Sequence, residues 1–590
     1  MQFREDIQIL RGIAVTLVVL FHLELSGLAS GFLGVDIFFV VSGFLMAILY
    51  KTGEAKKFLK RRASRLLPAY FVTILLTLIA SIFLVIPSEL NQVIDQSIYG
   101  LFFTNNVGFW MQNSYFSKIE FNPLLHLWSL GVELQFYLFV PLLAWIFAKS
   151  KLFLPIFILG SLACCFFLLG ISPKTSFFMM PFRVWEFLIG FGVAYYLTNN
   201  GTVKYKDYSW LGLLGLLIVV IIPFLKVDGE ALNPIHGHPG LYALLVCVAT
   251  ALIIGFGLPK IVSNSIFGKV FEKLGNYSYS IYLVHFPIIV LYLYEPFGGT
   301  RLYPETIEAK VTIIFLIAIF SFLMYSLVEK RRIENIYKLY FSAVALILIG
   351  ILGAKSTFTA FYSEKEQNIF NGLVDRDTYR CGKIARIVNP KDLTCKINEG
   401  DFEKSILLVG NSHADSIKKS FQEIAAKHKF NTYFLVSNTP LVSGEITVDA
   451  LLKEAQRLNV KKIVLHYSPN SIKVKTIEKL VLESQKYNIH IDFIMPIPIY
   501  DDSIPKLMYL NKTNLYGQDI YLERNKEFID QVNLMASAMD NLKAFPVHEV
   551  FCNNICEVSD QNSKPYYFDS THLTITGAKK LDPVFEDIFK

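Results

Sequence analysis

The stretch Ile7-Gln8-Ile9-Leu10-Arg11 through Val19-Leu20-Phe21-His22 decides how this chain is built. It is apolar enough to cross a bilayer, yet it holds two ionisable side chains. Such groups are costly in hydrocarbon, so a helix that keeps both has a use for them. At about 1.5 Å of rise per residue, the steps from Arg11 to His22 make roughly three turns, placing the two groups about 16 Å apart and nearly on one face. The bland alternative is an Arg that snorkels to the headgroups and a His that only bonds a neighbouring helix. The reading adopted is a functional pair.

Composition extends that reading to the whole chain. With 590 residues, 53% hydrophobic and 18% charged, and a mean hydropathy of +0.43, the protein is too apolar to be soluble throughout and too long for one domain. Apolar stretches near the spanning length of roughly 20 residues recur. They fall at 8–27, 33–50, 66–86, 124–147, 152–170, 178–197, 209–225, 241–257, 276–294, 308–328 and 337–354. The expected fold is a multi-span α-helical membrane domain of about 10 helices over 1–330, then one linking helix and an extension over 331–403. The shorter, mixed segment 96–110 reads as interfacial or re-entrant.

Basic residues orient these spans. With a cytoplasmic N-terminus, the inner loops hold Lys51, Lys56, Lys57, Lys60, Arg61, Arg62, Arg65, Lys149, Lys151, Lys204, Lys206, Lys260, Lys269, Lys273, Lys330, Arg331 and Arg332. The outer loops hold Lys118, Lys174, Lys226 and Arg301. That bias follows the positive-inside rule and accounts for much of the +7 net charge without a nucleic-acid partner. An odd number of spans then exports the C-terminal part. Arg11 interrupts the first apolar region and a second span follows at once, so the first span reads as an anchor and not a cleaved signal peptide.

Cysteine placement agrees with export. Cys164, Cys165 and Cys247 lie in apolar spans and read as small hydrophobes, whereas Cys381, Cys395, Cys552 and Cys556 fall in the C-terminal part. Of the three pairings open to these four, the local one is preferred: Cys381 with Cys395 and Cys552 with Cys556. Such bridges need an oxidising compartment such as a bacterial periplasm. Zinc is the competing use, but Cys-x3-Cys has no matching Cys/His pair nearby, and no metal is expected.

From about 355 the pattern changes to alternating short strands and helices. Strand candidates are 405–409, 432–436, 462–466 and 491–495, with helical stretches at 415–428 and 447–458. That alternation over 404–590 predicts a soluble, doubly wound α/β domain. Its first strand runs into Gly410-Asn411-Ser412-His413, and ligands bind at the carboxyl ends of such strands. Near the C-terminus, Asp569 stands three residues before His572, spaced to orient an imidazole that takes a proton from Ser412. The alternative is Asp569 as a helix cap and His572 as surface.

Gly-Asn-Ser-His after the first strand and Asp-x-x-His-Leu near the end resemble the SGNH hydrolase/transferase superfamily, whose first block is usually Gly-Asp-Ser; Asn411 departs from it. The resemblance implies Ser412 as nucleophile, His572 as base and Asp569 as its partner. It also implies oxyanion donors from Ser412 N–H plus a Gly and an Asn, with Asn470 a candidate and Gly444 a poorer one.

The membrane half resembles acyltransferase family 3 through several ordered motifs. These are Arg11-x10-His22, Gly34-Val35-Asp36-Ile37-Phe38-Phe39-Val40-Val41-Ser42-Gly43, Arg62-Ala63-Ser64-Arg65, His126-Leu127-Trp128-Ser129-Leu130-Gly131-Val132-Glu133 and Tyr279-Ser280-Ile281-Tyr282-Leu283-Val284-His285. Members include inner-membrane O-acyltransferases of bacterial surface polysaccharides, many with a fused SGNH domain. The resemblance implies acetyl-CoA as donor, with Arg11, Arg62 and Arg65 pairing with its phosphates, although for Arg62 and Arg65 positive-inside topology is a comparable explanation. His22 would be the base and Glu133 would orient it or exchange its proton. Asp36 would hold Arg11 or cap a helix. Gly34, Ser42 and Gly43 would serve close helix packing, with His285 and Tyr282 the weaker candidates.

The expected activity is therefore transfer of acetyl from cytosolic acetyl-CoA across a bacterial inner membrane. The acceptor would be a lipid-linked or assembled glycan, preferentially a lipopolysaccharide O-antigen sugar, reached through acetyl-Ser412 in a periplasmic domain. Peptidoglycan or another exopolysaccharide is the alternative acceptor. A membrane-anchored carbohydrate esterase and a transporter or acyl flippase are the competing classes.

Overall fold

Apolar segments of this chain form helices at each predicted place in the computed structural model, which describes residues 4–590 except 25–26, 113–119, 200–207, 230, 332, 334, 383–391, 445 and 513–516. Lys118, Lys204, Lys206 and Arg332 lie outside the described residues. The chain divides into two units, Met1–Thr357 and Phe358–Lys590.

The first unit is helical. Its main elements are α1 Glu5–His22, α2 Gly34–Leu49, α3 Ala55–Leu84, α4 Pro87–Leu101, α5 Asn105–Met111, α6 Leu127–Lys149, α7 Phe153–Leu169, α8 Val184–Asn199, α9 Ser209–Ile221, α10 Leu241–Phe256, α11 Ile266–Tyr292, α12 Ile307–Met324 and α13 Ile336–Phe361. Among the described residues six helices are long and apolar enough to cross a membrane, while the apolar helices within 153–169, 184–197, 209–224 and 241–256 are shorter. Two helices begin ten or more residues before the start that hydropathy predicts. Helix α3 starts at Ala55 because Lys56 to Arg65 are good helix formers, and α11 starts at Ile266, where the Ser265 side chain accepts the Gly268 N–H. Segment 96–110 is the end of α4 and most of α5, joined through Phe102–Thr104.

Small residues let these helices touch. A Cβ on Gly12 of α1 would lie 2.0 Å from the Phe271 carbonyl oxygen of α11, and one on Gly43 of α2 would lie 1.8 Å from that of Phe187 on α8. The packing role expected for Gly43 is therefore the one it has.

The second unit is an α/β domain. Strands β1 Thr394–Lys396, β2 Lys404–Gly410, β3 Phe430–Leu435, β4 Val460–His466, β5 His490–Ile494 and β6 Leu542–Phe545 form one sheet in the order β1-β3-β2-β4-β5-β6. All neighbours are parallel except β1, which runs antiparallel to β3. Helices α14 Glu364–Asn371, α15 Ser412–Lys427, α16 Val448–Arg457, α17 Val474–Gln485 and α18 Gln518–Ala538 complete the main elements. Residues Leu407–Gly410 and Ile463–His466 are buried, as expected of parallel strands covered on both faces. Strands β3 and β4 flank β2 on opposite sides, which opens the crevice at the carboxyl end of β2.

The sheet does not start at 404. Strand β1 comes from the segment expected to be extension, and the Cys381–Cys395 bridge fastens it; Cys552 and Cys556 form the second bridge.

Candidate active site

In the α/β unit, β2 ends at Gly410, where a Cβ would lie 1.8 Å from the His466 carbonyl oxygen, so only glycine lets β2 and β4 close at this point. Asn411 then caps α15. Its Oδ1 accepts the His413 N–H (3.1 Å), and its Nδ2 donates to Ser468 Oγ (2.7 Å) and Ser471 Oγ (3.3 Å). The residue that departs from the usual motif thus ties the Ser412 turn to the loop after β4.

Ser412, at the first position of α15, meets His572 Nε2 at 2.6 Å, and His572 Nδ1 meets Asp569 Oδ2 at 2.7 Å. A carboxylate only accepts, so Nδ1 carries the proton, Nε2 is bare and the Ser412 hydroxyl donates to it. Asp569 Oδ1 accepts the N–H groups of Thr571 (2.8 Å) and His572 (2.7 Å). The carboxylate is therefore both turn-former and imidazole partner; it caps no helix, since the next one starts at Ile575 behind Thr574. Burial alone would raise the Asp569 carboxyl; the His572 hydrogen bond and charge and the two N–H bonds outweigh it and hold it below the usual value.

Two more imidazoles stand close. The His413 ring is centred 4.9 Å from His572 and 6.1 Å from His466. Burial, then the neighbouring rings, pushes His413 well below the usual imidazole value, and burial takes His466 down to about 4 despite its bond to Ile494 O. Arg380 braces the site from the extension. Its N–H donates to Asp415 Oδ1 (2.9 Å) and its guanidinium to the carbonyls of Gly410 (3.1 Å) and Asn438 (2.9 Å). Asn470 is exposed with φ 59°, and Gly444 has open space about its Cα. The structure brings the loop of Asn470 to Asn411 through Ser468 and Ser471; it records no bond from either oxyanion candidate to Ser412.

Two cavities among the described residues of the membrane unit share Val35 and Tyr282 as lining. The larger, about 80 Å³, is lined by Arg11, Arg62, Arg65, Ser42, Glu133 and Tyr137 among others; the smaller, about 10 Å³, by His22, His126 and His238 among others. Arg11 and His22 both face inward, but onto different cavities. Glu133 does not orient His22. It accepts from the Ser42 and Tyr137 hydroxyls and shares its cavity with three arginines that α1 and α3 bring from elsewhere in the chain. Ser42 is correspondingly more than a packing residue. His22 instead meets His285, Nδ1 to Nε2, at 3.1 Å.

Asp36 holds neither Arg11 nor a cap. It pairs at 3.0 Å with Arg183, which also pairs with Glu186 at 2.9 Å, all three being fully buried. His238 Nε2 accepts from Arg183 at 3.2 Å. Asp36, Glu186 and Cys247 bring ligand atoms within 4.8 Å of one another, but the Arg183 guanidinium already occupies the cation's place between the carboxylates. Arg183-x-x-Glu186 was legible by the rule that exposed Arg11, being two charges inside the apolar run 178–197.

Fold and site define a multi-pass membrane protein joined to an α/β domain with a Ser-His-Asp hydrogen-bonded chain. The comparisons narrow this: residues 4–295 match the family described as an acyltransferase domain, and residues 380–587 match the SGNH domain found fused to that family. The chain belongs to acyltransferase family 3 with a fused SGNH domain. It is 32% identical over 304 residues to the peptidoglycan O-acetyltransferase OatA of Listeria monocytogenes, covering 48% of this chain and 49% of that protein. It is 30% identical over 331 residues to the O-acetyltransferase OatA of Staphylococcus aureus, covering 51% and 53%. The chain thus spans about half the length of the curated relatives it matches. The periplasmic domain of a lipopolysaccharide acetyltransferase from Salmonella ser. Paratyphi A overlays 39% of this chain and 99% of its own at 17% identity, with a TM-score of 0.29, an overlap too slight to build on.

Proposed function

We propose that the chain is an O-acetyltransferase moving acetyl groups from cytosolic acetyl-CoA to hydroxyls of a cell-surface glycan. The observation that carries this is the Ser412–His572–Asp569 hydrogen-bonded chain in a protein whose other half is a membrane unit with cationic and imidazole-lined cavities.

In the membrane unit, Arg11, Arg62 and Arg65 bind the phosphates of the donor. His22 takes the proton of an acceptor hydroxyl as the new C–O bond forms; the thioester C–S bond breaks and the thiol leaves with that proton. In the SGNH domain, Ser412 Oγ attacks the arriving acetyl carbonyl while His572 Nε2 takes its proton and returns it to the leaving oxygen. A sugar hydroxyl then attacks acetyl-Ser412 by the reverse proton route, and Ser412 regains its hydrogen. The protein resides in the bacterial inner membrane, N-terminus inside and SGNH domain outside.

Peptidoglycan is the acceptor best supported, since the matched Listeria protein is named for it, whereas the lipopolysaccharide O-antigen preferred from sequence has no such support. An esterase would use the same triad, but it gives the arginine-lined cavity no task. Base-released acetate from purified peptidoglycan tests the reading. At equal protein levels, Ser412→Ala and His22→Ala are expected to fall to background, and wild-type acetylation in either removes that residue from the mechanism.

A further inference from the structure

We propose that His285 is a positioning residue: it fixes the tautomer of His22, keeping the proton on His22 Nδ1 and leaving the Nε2 lone pair free beside the smaller cavity. The proposal deepens the reading of His22 as a base and rests on it.

The argument is one of donors and acceptors. His285 Nδ1 lies 2.7 Å from the Tyr282 carbonyl oxygen, which can only accept, so His285 carries its proton on Nδ1. Phe21, Phe286, His126 and Tyr282 pack around the two rings, and none offers a negative charge, so both imidazoles stay neutral in this buried place. A neutral His285 with Nδ1–H has a bare Nε2. The atom 3.1 Å away, His22 Nδ1, must therefore donate, its proton shared between His285 and the Val18 carbonyl one turn back, and a neutral His22 that donates from Nδ1 has a bare Nε2. That nitrogen is buried and has no hydrogen-bond partner among the described residues.

The surroundings keep it so. Pro287 in α11 has no N–H, which leaves the Leu283 carbonyl without its helical partner. His126 Nε2–H supplies one at 3.0 Å, so His126 presents a bare Nδ1 and no proton to His22. The Tyr282 hydroxyl donates to the His126 carbonyl at 2.9 Å. The carbonyl freed by Pro287 thereby orients His126, while the Tyr282 carbonyl orients His285 and, through it, His22.

The test uses the full chain in lipid nanodiscs, with ring-15N-labelled histidine and labelled acetyl-CoA. His22 is assigned by the signal lost in His22→Ala. It is expected to show protonated Nδ1 in the wild type and in His285→Gln, whose amide oxygen accepts from His22, and to lose that bias in His285→Leu. Acetyl transfer is expected to stay within about threefold in His285→Gln and to fall about tenfold or more in His285→Leu. Protonated Nε2 on wild-type His22 overturns the proposal, as does a His285→Leu protein with wild-type tautomer and rate, or Gln and Leu variants equally inactive with His22 unchanged. If His285→Leu does not fold, His285→Phe, which also removes the acceptor but keeps a ring in place, is read in its stead. Full transfer by His22→Ala instead sinks the base reading while the spectrum still reports on His285.

Discussion

Asp569 divides its oxygens between backbone and ring, and the division sets what its replacement does. In Asp569→Asn the turn can persist through one amide oxygen, but the amide N–H₂ facing His572 Nδ1 imposes the opposite tautomer and turns Nε2 into a donor toward Ser412. Acetyl transfer is expected to drop about 10³- to 10⁴-fold with little change in stability, checked by transfer rates beside a thermal melt. His466 makes a second residue-level prediction. Its folded value near 4 lies below the ordinary 6.5, so between those values the unfolded chain binds the extra proton and stability falls as pH falls. The loss is roughly 3 kcal/mol for His466 alone, with His413 pulling the same way. Hydrogen exchange of peptides covering β4, corrected for intrinsic rates, is expected to show that loss from pH 6.5 to 4, with a shallower slope in His466→Gln. Ser412, Asp569 and His572 were legible because the turn after a strand and the Asp-x-x-His spacing are local signals. His285, His126 and Ser42 were not weighed at their worth, because their roles arise only when α1, α2, α6 and α11 come together.

At the level of elements, hydropathy found each apolar helix but misjudged ends, because the charged early stretches of α3 and α11, with Lys56 to Arg65 in one and Lys269, Glu272 and Lys273 in the other, are helical without being uniformly apolar. The core strands β2 to β5 were legible from their buried runs. Strands β1 and β6, at three and four residues, are too short to show a pattern, and β1 depends on a partner strand and a bridge for its place. Helix contacts carry the next prediction. Gly43→Val forces a side chain into the Phe187 backbone and is expected to cost about 1–3 kcal/mol or more, whereas Gly160→Val in α7, with nothing within 4 Å, is expected to be neutral. Heat-induced aggregation of detergent-solubilised protein compares the two.

For the whole molecule, the basic residues crowd one set of loops and the bridged cysteines lie in the second unit. Alkaline phosphatase fused after Lys590 is expected to be active and a fluorescent protein there dark; the reverse pattern overturns the export of the SGNH domain. The same scale shows what the ion cluster of Asp36, Arg183 and Glu186 demands. Two carboxylates lean on one guanidinium sealed from solvent, so removing Arg183 strands their charge, at a cost of about 3–5 kcal/mol, whereas removing either acid leaves the other paired. Arg183 is accordingly the member of the three that evolution can least give up, although it stands 147 positions along the chain from Asp36.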